Sequence, residues 1–536
     1  MQEKIVIVGA GVAGINAATK LVDNNYKGKI TIIDMGLDPY NRPLSDVMRG
    51  FLGAGGWSDG KLTYHTSIGG QLSKYCGEDK AMELMDQVIN NFKRFHPKPE
   101  EVQCSNPVAE PDFIKPQFGL RLFPVWHVGT DYLHEIGKNW YNFLVDNGVE
   151  FIWEEKVEDI NFDHQEVRSF SVKNENRLKL VTCYDKLIFG VGKSGIDFGK
   201  ELAEKYDLPT EPKSVQIGVR FEAPQHHFQK LIDVSYDFKL YQKFEDKGVS
   251  LRSFCTNNNA AYVAAEHTYG DISYNGHAKK DEAYRNDMTN FGILMEIRDI
   301  DKPFDWSRKA VKQLQINEKG TYFSPSKRIP SKTSEGDYVE CVVVDSMDLL
   351  YDALGDYAIH IEDFIGDMKE VFPTLGNDWG IYMPEVKYLS PEPLVKYDDL
   401  SLTRFSNIYF VGDALSARGI TVSGAQGTYV AESILKKKKV KKVNPRTYGK
   451  ATTREMKLTR EESDGSKTTA YVLQIEGVAK FHNWDGPSVI NKSQKVKDYY
   501  LSGIKYTKDD WAEMRKHRDG LPPSKRTAPK GHTNRS

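Results

Sequence analysis

Three glycines near the start of the chain have the spacing that brings a backbone turn close to a phosphate. Gly9, Gly11 and Gly14 form a G-x-G-x-x-G pattern directly after the unbroken apolar run of residues 5–8. Such a run is typical of a parallel strand buried on both faces. The first glycine permits a sharp turn, the second lets the backbone approach a pyrophosphate, and the third lets the next helix pack closely. The pattern therefore predicts a dinucleotide site at a helix N-terminus.

An acidic residue stands where the ribose of such a dinucleotide should lie. A second apolar run, residues 29–33, ends in Asp34, which follows Gly14 by 20 positions. A carboxylate at this distance receives the ribose hydroxyl groups, and its charge disfavours a 2′-phosphate. We therefore expect this site to reject NADP.

A second motif, far along the chain, narrows the predicted ligand. Residues 407–411 are apolar and lead into Gly412-Asp413. In Rossmann-type flavoproteins a late strand ends in Gly-Asp, and the aspartate holds a ribityl hydroxyl group. A helix predicted to start near Gly419 would direct its positive end at the N1 and C2=O edge of the flavin. Together the two motifs predict FAD.

Residues between these motifs complete the expected cofactor site. Residues 185–189 form another apolar run that leads into glycines, and residues 149–153 precede Val157, the expected backbone contact to adenine. A glycine-rich loop at residues 53–62 would place its amides near the flavin N5 edge or the pyrophosphate. The predicted cofactor contacts are Gly9, Gly11, Val12, Ala13, Gly14, Asp34, Ser58, Asp59, Val157, Gly192, Gly412, Asp413, Gly419 and Ile420.

The loop at residues 50–64 limits the reaction class. It contains no cysteine, so thiol–disulfide chemistry beside the flavin is not expected. Lys61, His65 and His267 are the candidate groups for moving a proton. The alternative is that Asp59 caps a helix and Lys61 is solvated, and a lone histidine is more often structural than catalytic.

Two arginines are candidate ligand contacts. Arg220 and Arg418 could bind an anionic substrate or the cofactor phosphate, or they could form ordinary ion pairs. No group of His, Cys and acidic residues has metal-ligand spacing, so no metal site is predicted.

Beyond these motifs the chain resembles a known family over roughly residues 1–436. The family is the FAD-dependent dehydrogenase-like proteins, NAD(P)/FAD-dependent oxidoreductases of bacteria and archaea. The resemblance implies a glutathione-reductase-type FAD fold and hydride transfer between an unidentified small-molecule substrate and flavin N5. The similar stretches are residues 53–62, 127–133, 215–222, 254–255, 264–276 and 384–391.

The chain departs from this family at two places near the expected substrate. Cys255 is followed by Thr256 and three asparagines, where the family often has a second cysteine and Pro-Gly-Gly. Lys387 stands where the family pattern has arginine. These differences indicate either a different substrate or a degraded active site.

The predicted fold class is α/β, a Rossmann-type FAD-binding domain with an inserted α+β substrate domain and a small basic, β-rich C-terminal extension. The 536 residues are enough for two or three domains. The FAD-binding domain is predicted in three pieces. The predicted segments are 1–66, 125–200 and 385–435 for FAD binding, 67–124 as an insertion, 201–384 for substrate, 436–520 as the basic module and 521–536 as a disordered tail.

The net charge of −2 conceals a step at Lys436. Residues 436–536 contain 25 Lys and Arg against 11 Asp and Glu, a balance of +14, which leaves −16 for the rest of the chain. Such a step indicates a boundary between unlike pieces. Residues 456–460 and 469–475 should pair as one hairpin, and residues 485–507 should contain a second.

The basic module suggests an alternative function. Tyr499, Tyr500, Tyr506 and Trp511 lie among its lysines, and charge with stacking can bind nucleic acid. In this alternative the FAD is structural, and the module binds nucleic acid or a protein partner. A solvated docking element is the plainer interpretation.

Composition predicts a soluble cytoplasmic protein without membrane contact. The five cysteines form no C-x-x-C motif and are interpreted as free thiols of a reducing compartment. Residues 1–8 carry no signal-peptide pattern, and no stretch approaches the roughly 20 apolar residues of a membrane span.

Overall fold

A computed structural model describes the chain as two compact units with mixed α/β structure. The first consists of residues Met1–Ile5, Val157–Lys186 and Lys436–Ser536, and the second of Val6–Lys156 and Leu187–Leu435. The described residues are 2–43, 46–114, 116–160, 169–174, 177–182, 184–211, 213–268, 270–298, 300–388, 392–439, 453–461, 467–475, 481–483, 499–501 and 504–506.

Helices and strands are numbered in chain order. The helices are α1 (Val12–Asp23), α2 (Leu72–Cys76), α3 (Glu78–Phe95), α4 (Leu133–Asp146), α5 (Ile196–Lys205), α6 (Gln229–Ile232), α7 (Pro303–Gln313), α8 (Asp348–Leu354), α9 (Ala358–Val371) and α10 (Ile420–Lys439). The strands are β1 (Lys4–Val8), β2 (Lys29–Ile33), β3 (Lys61–Thr63), β4 (Cys104–Ser105), β5 (Gly119–Leu122), β6 (Val125–His127), β7 (Glu150–Ile152), β8 (Lys156–Ile160), β9 (Ser169–Asn174), β10 (Arg177–Thr182), β11 (Lys186–Phe189), β12 (Thr210–Glu211), β13 (Val215–Pro224), β14 (Phe238–Phe244), β15 (Val249–Asn257), β16 (Ala261–Thr268), β17 (Asp271–Ala278), β18 (Met288–Ile297), β19 (Thr321–Phe323), β20 (Val342–Val344), β21 (Gly380–Lys387), β22 (Glu392–Pro393), β23 (Ile408–Phe410), β24 (Thr453–Glu461), β25 (Lys467–Ile475), β26 (Phe481–Asn483), β27 (Tyr499–Leu501) and β28 (Ile504–Tyr506).

A five-stranded sheet holds the two motifs on which the cofactor prediction depends. Its order is β23-β11-β1-β2-β7, and the β11–β23 and β2–β7 pairs are parallel. The strands are apolar runs because both faces of a parallel sheet are covered. Helix α1 covers one face through apolar residues at helical spacing, and Trp140 of α4 donates a hydrogen bond of 2.7 Å to Thr19 of α1.

A second, larger sheet of the same unit is mainly antiparallel. Its order is β20-β19-β21-β13-β18-β15-β14-β5. Helices α7, α8 and α9 contribute side chains to its core, in which Phe221, Phe291 and Phe364 are fully buried. Strand β13 lies at the centre and pairs with β18 on one side and β21 on the other. Residues 201–384 thus belong to the same compact unit as the parallel sheet.

Two small antiparallel sheets contain further residues of the candidate site. Strand β3 begins at Lys61 and pairs with β6, and β6 in turn pairs with β4. Strands β16 and β17 form a separate antiparallel hairpin in which Glu266 faces Ser273 and His267 faces Ile272.

The first unit contains a small sheet and the C-terminal strands. Strands β8, β9 and β10 form a three-stranded sheet. The predicted hairpin is confirmed, since β24 pairs with β25 in a register that places Thr459 opposite Thr469. A second hairpin joins β27 to β28, whereas residues 485–491 and 508–536 lie outside the described part of the chain.

Candidate cofactor and active site

Four neighbouring strands of the parallel sheet end at one edge, and each predicted cofactor motif of this unit follows one of them. The backbone N–H of Gly190 donates to Val8 O at 2.9 Å, that of Val411 donates to Phe189 O at 3.0 Å, and that of Gly9 donates to Ile33 O at 2.8 Å. In open α/β sheets ligands bind outside the carboxyl ends of the strands. This edge is therefore the candidate cofactor site.

The three N-terminal glycines have different environments. Gly9 has φ +103°, and a Cβ there would lie 2.4 Å from Gly190 O. A Cβ on Gly14 would lie 2.3 Å from Gly9 O, so side chains are excluded at both positions by backbone. A Cβ on Gly11 would have no neighbour closer than 4.0 Å. Gly11 therefore borders open space into which a ligand phosphate could approach.

The N-terminus of α1 points its unused donors into that space. Gly11 is the N-cap residue and supplies no side-chain hydrogen bond. Val12 and Ala13, both buried, begin the first turn, whose amides have no partner within the helix. A helix N-terminus of this kind favours an anion through its amides and its dipole.

Asp34 lies at the edge as predicted, but most of its hydrogen-bonding capacity is already used. One carboxylate oxygen accepts the N–H of Ala10 at 2.8 Å, and the other accepts those of Gly36 and Gly50, each at 2.8 Å. Burial raises the pKa of Asp34 against the lowering effect of these amides. A carboxylate has about four lone-pair positions, so roughly one remains for a ribose hydroxyl.

The far end of the edge is formed by Gly412, Asp413 and the start of α10. Gly412 has φ +70° and donates its N–H to Gln426 Oε1 at 2.8 Å. An Asp413 oxygen lies 2.8 Å from Arg418 NH1. Nearby, the buried Thr421 Oγ1 has no hydrogen-bond partner in the described part of the chain. An orphaned buried hydroxyl in the first turn of a helix fits a bound group that carries hydrogen-bonding atoms.

The glycine-rich loop runs between the two ends of this edge. A Cβ on Gly53 would lie 3.3 Å from Gly11 Cα, and one on Gly55 would lie 3.7 Å from Ile420 Cγ1. Gly192 also borders the edge, since a Cβ there would lie 3.8 Å from an Asp413 oxygen. The loop thus accompanies the whole length that an extended dinucleotide would occupy.

Ser58 and Asp59, predicted as cofactor contacts, have other partners. Ser58 Oγ donates to Gly55 O at 3.2 Å and accepts the N–H of Gly60 at 3.2 Å. The Asp59 carboxylate lies 3.0 Å from Lys61 Nζ and accepts the Cys255 thiol at 2.9 Å. Asp59 therefore belongs to a buried polar network rather than to the cofactor edge.

Lys61 is the centre of that network. Its ammonium group lies between Asp59 and Asp237, 3.3 Å from the latter, and donates to Thr256 O. The three charged side chains are 2%, 7% and 4% exposed. Burial alone would lower the pKa of Lys61, but Asp237 and Asp59 outweigh it and raise the pKa. Lys61 thus retains its proton and is not solvated, which was the alternative, while its role in moving a proton stays a prediction.

Cys255 joins the loop to the larger sheet. It lies on β15 with φ +54°, where the β15–β18 register shifts between Phe254 and Asn257. A left-handed conformation is uncommon for a residue with a side chain and costs roughly 1–3 kcal/mol. Burial and the neighbouring Asp59 raise the pKa of the thiol to about 12, so it is neutral and acts as a donor. Residues 50–64 contain no cysteine, but the Cys255 thiol of β15 nevertheless contacts Asp59 in this loop.

Arg220 has a structural role in the described residues. Its guanidinium pairs with Glu385 at 2.9 Å, and both side chains are 0% exposed. It also donates to Cys255 O at 3.1 Å and to Asn275 Oδ1 at 3.0 Å. A Cβ on Gly292 would lie 2.5 Å from the Glu385 carboxylate, so glycine is needed there. The structure thus shows Arg220 in an ordinary ion pair, one of the two roles that the sequence left open.

A chain of contacts connects this pair to the cofactor edge. Asn275 Nδ2 donates to Glu266 Oε1 at 2.8 Å, and the other Glu266 oxygen lies 3.7 Å from Lys193 Nζ. Lys193 follows β11 at the edge, next to Gly192. Burial lowers the pKa of Lys193, and Lys387 adds to this, whereas Glu266 and Asp413 oppose it.

His277 is a buried histidine that was not among the candidates predicted from the sequence. It is 8% exposed on β17, and its Nε2 has no hydrogen-bond partner among the residues that the structure describes. The next residue, Ala278, accepts the N–H of Thr130 at 3.0 Å, and Thr130 Oγ1 donates to Ser58 O at 2.8 Å. Burial lowers the pKa of His277, so the ring is neutral at neutral pH.

Two of the predicted catalytic residues form no hydrogen bond to the Lys61 network within the described part of the chain. His267 is exposed, and it points to the face of β16 opposite that of Glu266, because side chains alternate along a strand. His65 is bonded to Ser67, whose N–H it accepts at 3.1 Å. Val157 is buried on β8 but belongs to the first unit. Burial distinguishes His277 from His267, but it can be predicted only when the strands β16 and β17, and the faces to which their alternating side chains point, are known.

Comparison with known proteins gives distant likenesses. No family model matches the chain. An uncharacterized protein of Clostridium beijerinckii (strain ATCC 51743 / NCIMB 8052) is 26% identical over 282 residues, 51% of this chain and 48% of that protein. The chain therefore matches about half the length of this curated relative.

Comparison with solved structures gives likenesses at low sequence identity. A flavoprotein/dehydrogenase from Cytophaga hutchinsonii has 12% identity, covers 82% of this chain and 79% of its own, and gives a TM-score of 0.36. Halogenase PltM, solved with phloroglucinol and FAD, has 11% identity over 81% and 69%, with a TM-score of 0.36. Tetracycline destructase Tet(51) has 10% identity over 82% and 83%, with a TM-score of 0.34. Likenesses at this level do not decide what the present chain binds or does.

Two further observations concern the described residues alone. No helix among them is long and apolar enough to cross a membrane. They also contain no group of three or more His, Cys, Asp or Glu residues arranged to hold a metal ion.

Proposed function

We propose that the protein is an FAD-dependent oxidoreductase of the dehydrogenase-like family that its sequence resembles. The observation that carries this proposal is the convergence of several features at one sheet edge. The uncrowded position of Gly11, the carboxylate of Asp34, and the Gly412-Asp413 turn all follow neighbouring parallel strands. Their order along one edge supports an extended dinucleotide, and the Gly-Asp turn favours a flavin over a nicotinamide.

Residues of the second unit would hold the cofactor at four points. The first-turn amides of α1 would bind the phosphates, and the remaining lone pair of Asp34 would accept a ribose hydroxyl. Asp413 would accept a ribityl hydroxyl, and the α10 N-terminus with Thr421 would face the polar edge of the flavin ring. Bound FAD would supply hydride transfer at N5.

The polar network beside this edge would handle the proton. His277 is neutral, is buried, and has an unused ring nitrogen, so it can accept a proton from a substrate hydroxyl or amine. The Cys255 thiol and Asp59 form a second hydrogen-bonded pair. Lys61 holds Asp59 in place, and the enclosed surroundings keep water from the reacting groups.

A second function is supported by the charge step at Lys436. The balance of +14 over residues 436–536 suits contact with a polyanion, whereas the rest of the chain carries −16. In this alternative the flavin is structural, and the basic module binds nucleic acid or a partner protein. Two results would count against this alternative. One is a flavin that is reduced and reoxidised during turnover, and the other is nucleic-acid binding that does not weaken as the salt concentration rises.

A visible spectrum of the purified protein tests the main proposal. We expect yellow protein that releases FAD, and not FMN, on denaturation, and that loses its colour with an anaerobic reductant. The test variant is Gly11→Val. The added side chain would occupy the space beside Gly11 without meeting backbone atoms, so the protein should fold while its flavin content falls. Colourless wild-type protein that also fails to take up added FAD would refute the proposal.

A further inference from the structure

A buried glutamic acid of the larger sheet lies beneath an irregular segment of the chain. Glu222 on β13 is 2% exposed, and one of its carboxyl oxygens, Oε2, has no hydrogen-bond partner within the described residues. The other oxygen, Oε1, accepts hydrogen bonds from the hydroxyl groups of Ser331 at 2.6 Å and Tyr382 at 3.4 Å. An ionised carboxylate with one bare oxygen is costly to bury, so these surroundings favour the protonated acid.

No cation within the described part of the chain forms an ion pair with Glu222. Arg220, two residues earlier on β13, pairs with Glu385 at 2.9 Å, and Arg328 pairs with Asp378 at 2.5 Å. Burial raises the pKa of Glu222, and the two hydrogen bonds and the two arginines oppose this only in part. Glu222 therefore keeps its proton above the pH at which an exposed carboxyl group loses it.

The segment that covers Glu222 joins β19 to β20 and consists of residues 324–341, here called the strap. Its middle is held by Ser331, whose N–H donates to the hydroxyl oxygen of Tyr382 at 2.8 Å and whose hydroxyl donates to Glu222. Both acceptors belong to the sheet, so the buried acid and its neighbour fasten the strap at one point.

Two further bonds hold the C-terminal end of the strap. The N–H of Val339 donates to Ser331 O at 3.0 Å, and Tyr274 of β17 donates its hydroxyl to Glu340 O at 2.7 Å. The residues between these anchors are more open to solvent, and Tyr338 is 56% exposed. Because the bond of Val339 ends on Ser331, loss of the Ser331 anchor would loosen this end as well.

The strap lies against the hairpin that carries His277. Val339 packs with Tyr274 of β17 in one buried apolar cluster. Burial lowers the pKa of His277, and the carboxylate of Glu335, within the strap, is among the charges that oppose this effect. Movement of the strap would therefore change the electrostatic environment of His277.

The groups that face Glu222 from the neighbouring strands do not change charge near neutral pH. Two of them are phenols, Tyr322 of β19 and Tyr382 of β21, and burial raises the pKa of both. Asn290 of β18, which lies opposite Glu222, carries no titratable proton. Arg220 on β13 stays charged. Glu222 is thus the group of this set that can lose a proton above pH 6.

The ion pair that holds Arg328 of the strap responds only on the acidic side. His227 Nε2 lies 3.3 Å from the Asp378 carboxylate that also pairs with Arg328. Burial lowers the pKa of His227. Burial raises the pKa of Asp378, but Arg328 and His227 outweigh it and lower that pKa. Above neutral pH the histidine is therefore neutral and the aspartate ionised throughout.

We propose that the strap is a lid controlled by the proton of Glu222, closed while the acid is neutral and released when it ionises. An ionised carboxylate needs water at its bare oxygen, and lifting Ser331 from the sheet admits that water. The opening does not depend on the proposed function, and only its consequence for His277 rests on that function.

The direction of the pH effect follows from the two environments of Glu222. In the open state the hydrated acid has the ordinary pKa of glutamic acid, whereas closure raises it. The closed state therefore binds the proton more tightly, so its stability is complete below the ordinary pKa and falls as pH rises toward the raised value. One proton is released on opening, and the ratio of open to closed strap should rise about tenfold per pH unit in this interval.

Hydrogen–deuterium exchange of the full-length protein measures this ratio without a substrate. The amides of Ser331 and Val339 are informative, because each has an acceptor that opening would remove. After correction for the intrinsic pH dependence of exchange, we expect these amides to exchange at least tenfold faster at pH 8 than at pH 6. Peptides from α1 should show no such acceleration, which distinguishes opening of the strap from unfolding of the whole unit.

Three variants isolate the proton of Glu222. Glu222→Gln is neutral at every pH and has the same shape, so the corrected exchange of its strap should be equal at pH 6 and pH 8. Ser331→Ala removes the hydroxyl that bonds the acid, so its strap should exchange faster than the wild-type strap already at pH 6. The control is Glu340→Gln, because Glu340 is a strap carboxylate that is 50% exposed and lies 3.3 Å from Lys319. It should match the wild type.

Three results would overturn the inference. These are corrected exchange of the wild-type strap that is unchanged or slower at pH 8, a wild-type response in Glu222→Gln, or wild-type exchange in Ser331→Ala at pH 6. If Glu222→Gln does not fold, the wild type and Ser331→Ala still decide. Protein without FAD would refute the proposed function and leave this test intact, whereas FAD-containing protein with a pH-independent strap would refute the lid alone.

Discussion

Replacement of Lys61 by methionine should destabilise the protein strongly at neutral pH. The change keeps most of the side-chain volume but leaves Asp59 and Asp237 buried with no cation between them. Removal of one partner from a buried ion pair costs about 3–5 kcal/mol, and here two carboxylates would also repel each other. We therefore expect a loss at the upper end of this range.

The effect should depend on pH in a defined direction. In the wild type, burial raises the pKa of Asp59, but Lys61 and the Cys255 thiol outweigh it and lower the pKa. This carboxylate therefore contributes stability above its unfolded pKa, and the contribution is lost as pH falls through its folded value. In the variant the carboxylates have no cation, so protonation relieves them. The difference between variant and wild type should shrink from pH 7 to pH 5.

Urea unfolding followed by tryptophan fluorescence at both pH values is the assay. The matched control is Lys29→Met, which removes an exposed ion pair of 2.7 Å with Glu150 and should cost about 0–1 kcal/mol. The reasoning would be refuted if Lys61→Met were no less stable than Lys29→Met, or if its deficit grew as pH fell.

Three other changes test the remaining assignments. Asp413→Ala should weaken FAD binding by about 1.5–3 kcal/mol, the value of a hydrogen bond to a charged group, and wild-type affinity in a fluorescence titration would reduce Gly412-Asp413 to a simple turn. Iodoacetamide at pH 7 should leave flavin reduction intact, because the Cys255 thiol has a pKa of about 12 and stays protonated; inactivation traced to Cys255 by mass spectrometry would contradict this. A chain that ends at Leu435 should fold and bind FAD, since the cofactor edge lies within the second unit, while full-length protein should bind DNA less tightly as salt rises; flavin-free truncated protein, or full-length protein indifferent to DNA at low salt, would count against separate roles.

Local patterns were sufficient to predict the parallel sheet and its turns. Gly9, Gly14 and Gly412 are required by the backbone conformation or by close backbone neighbours, and the strands before them are short apolar runs. The first C-terminal hairpin was also predictable, because its two strands are separated by a turn sequence and pair in simple register.

The polar network could not be predicted in the same way. Asp59, Asp237 and Cys255 come from three separate stretches of chain, and only the pairing of β3 with β6 and of β14 with β15 brings them together. The same holds for Arg220 and Glu385, which meet across β13 and β21. Sequence separation hides such contacts, and for the same reason the sequence alone does not distinguish the buried His277 from the exposed His267.

The three amides held by Asp34 have a consequence for how the ligand preference of this site could change. Ala10, Gly36 and Gly50 belong to three different turns, and one carboxylate fastens all of them before any ribose arrives. The proposed discrimination against a 2′-phosphate and the conformation of the turns would then depend on the same side chain. A substitution that relaxed the preference would release the loops that shape the pocket, so a switch toward a phosphorylated nucleotide would require rebuilding the turns together rather than exchanging one residue.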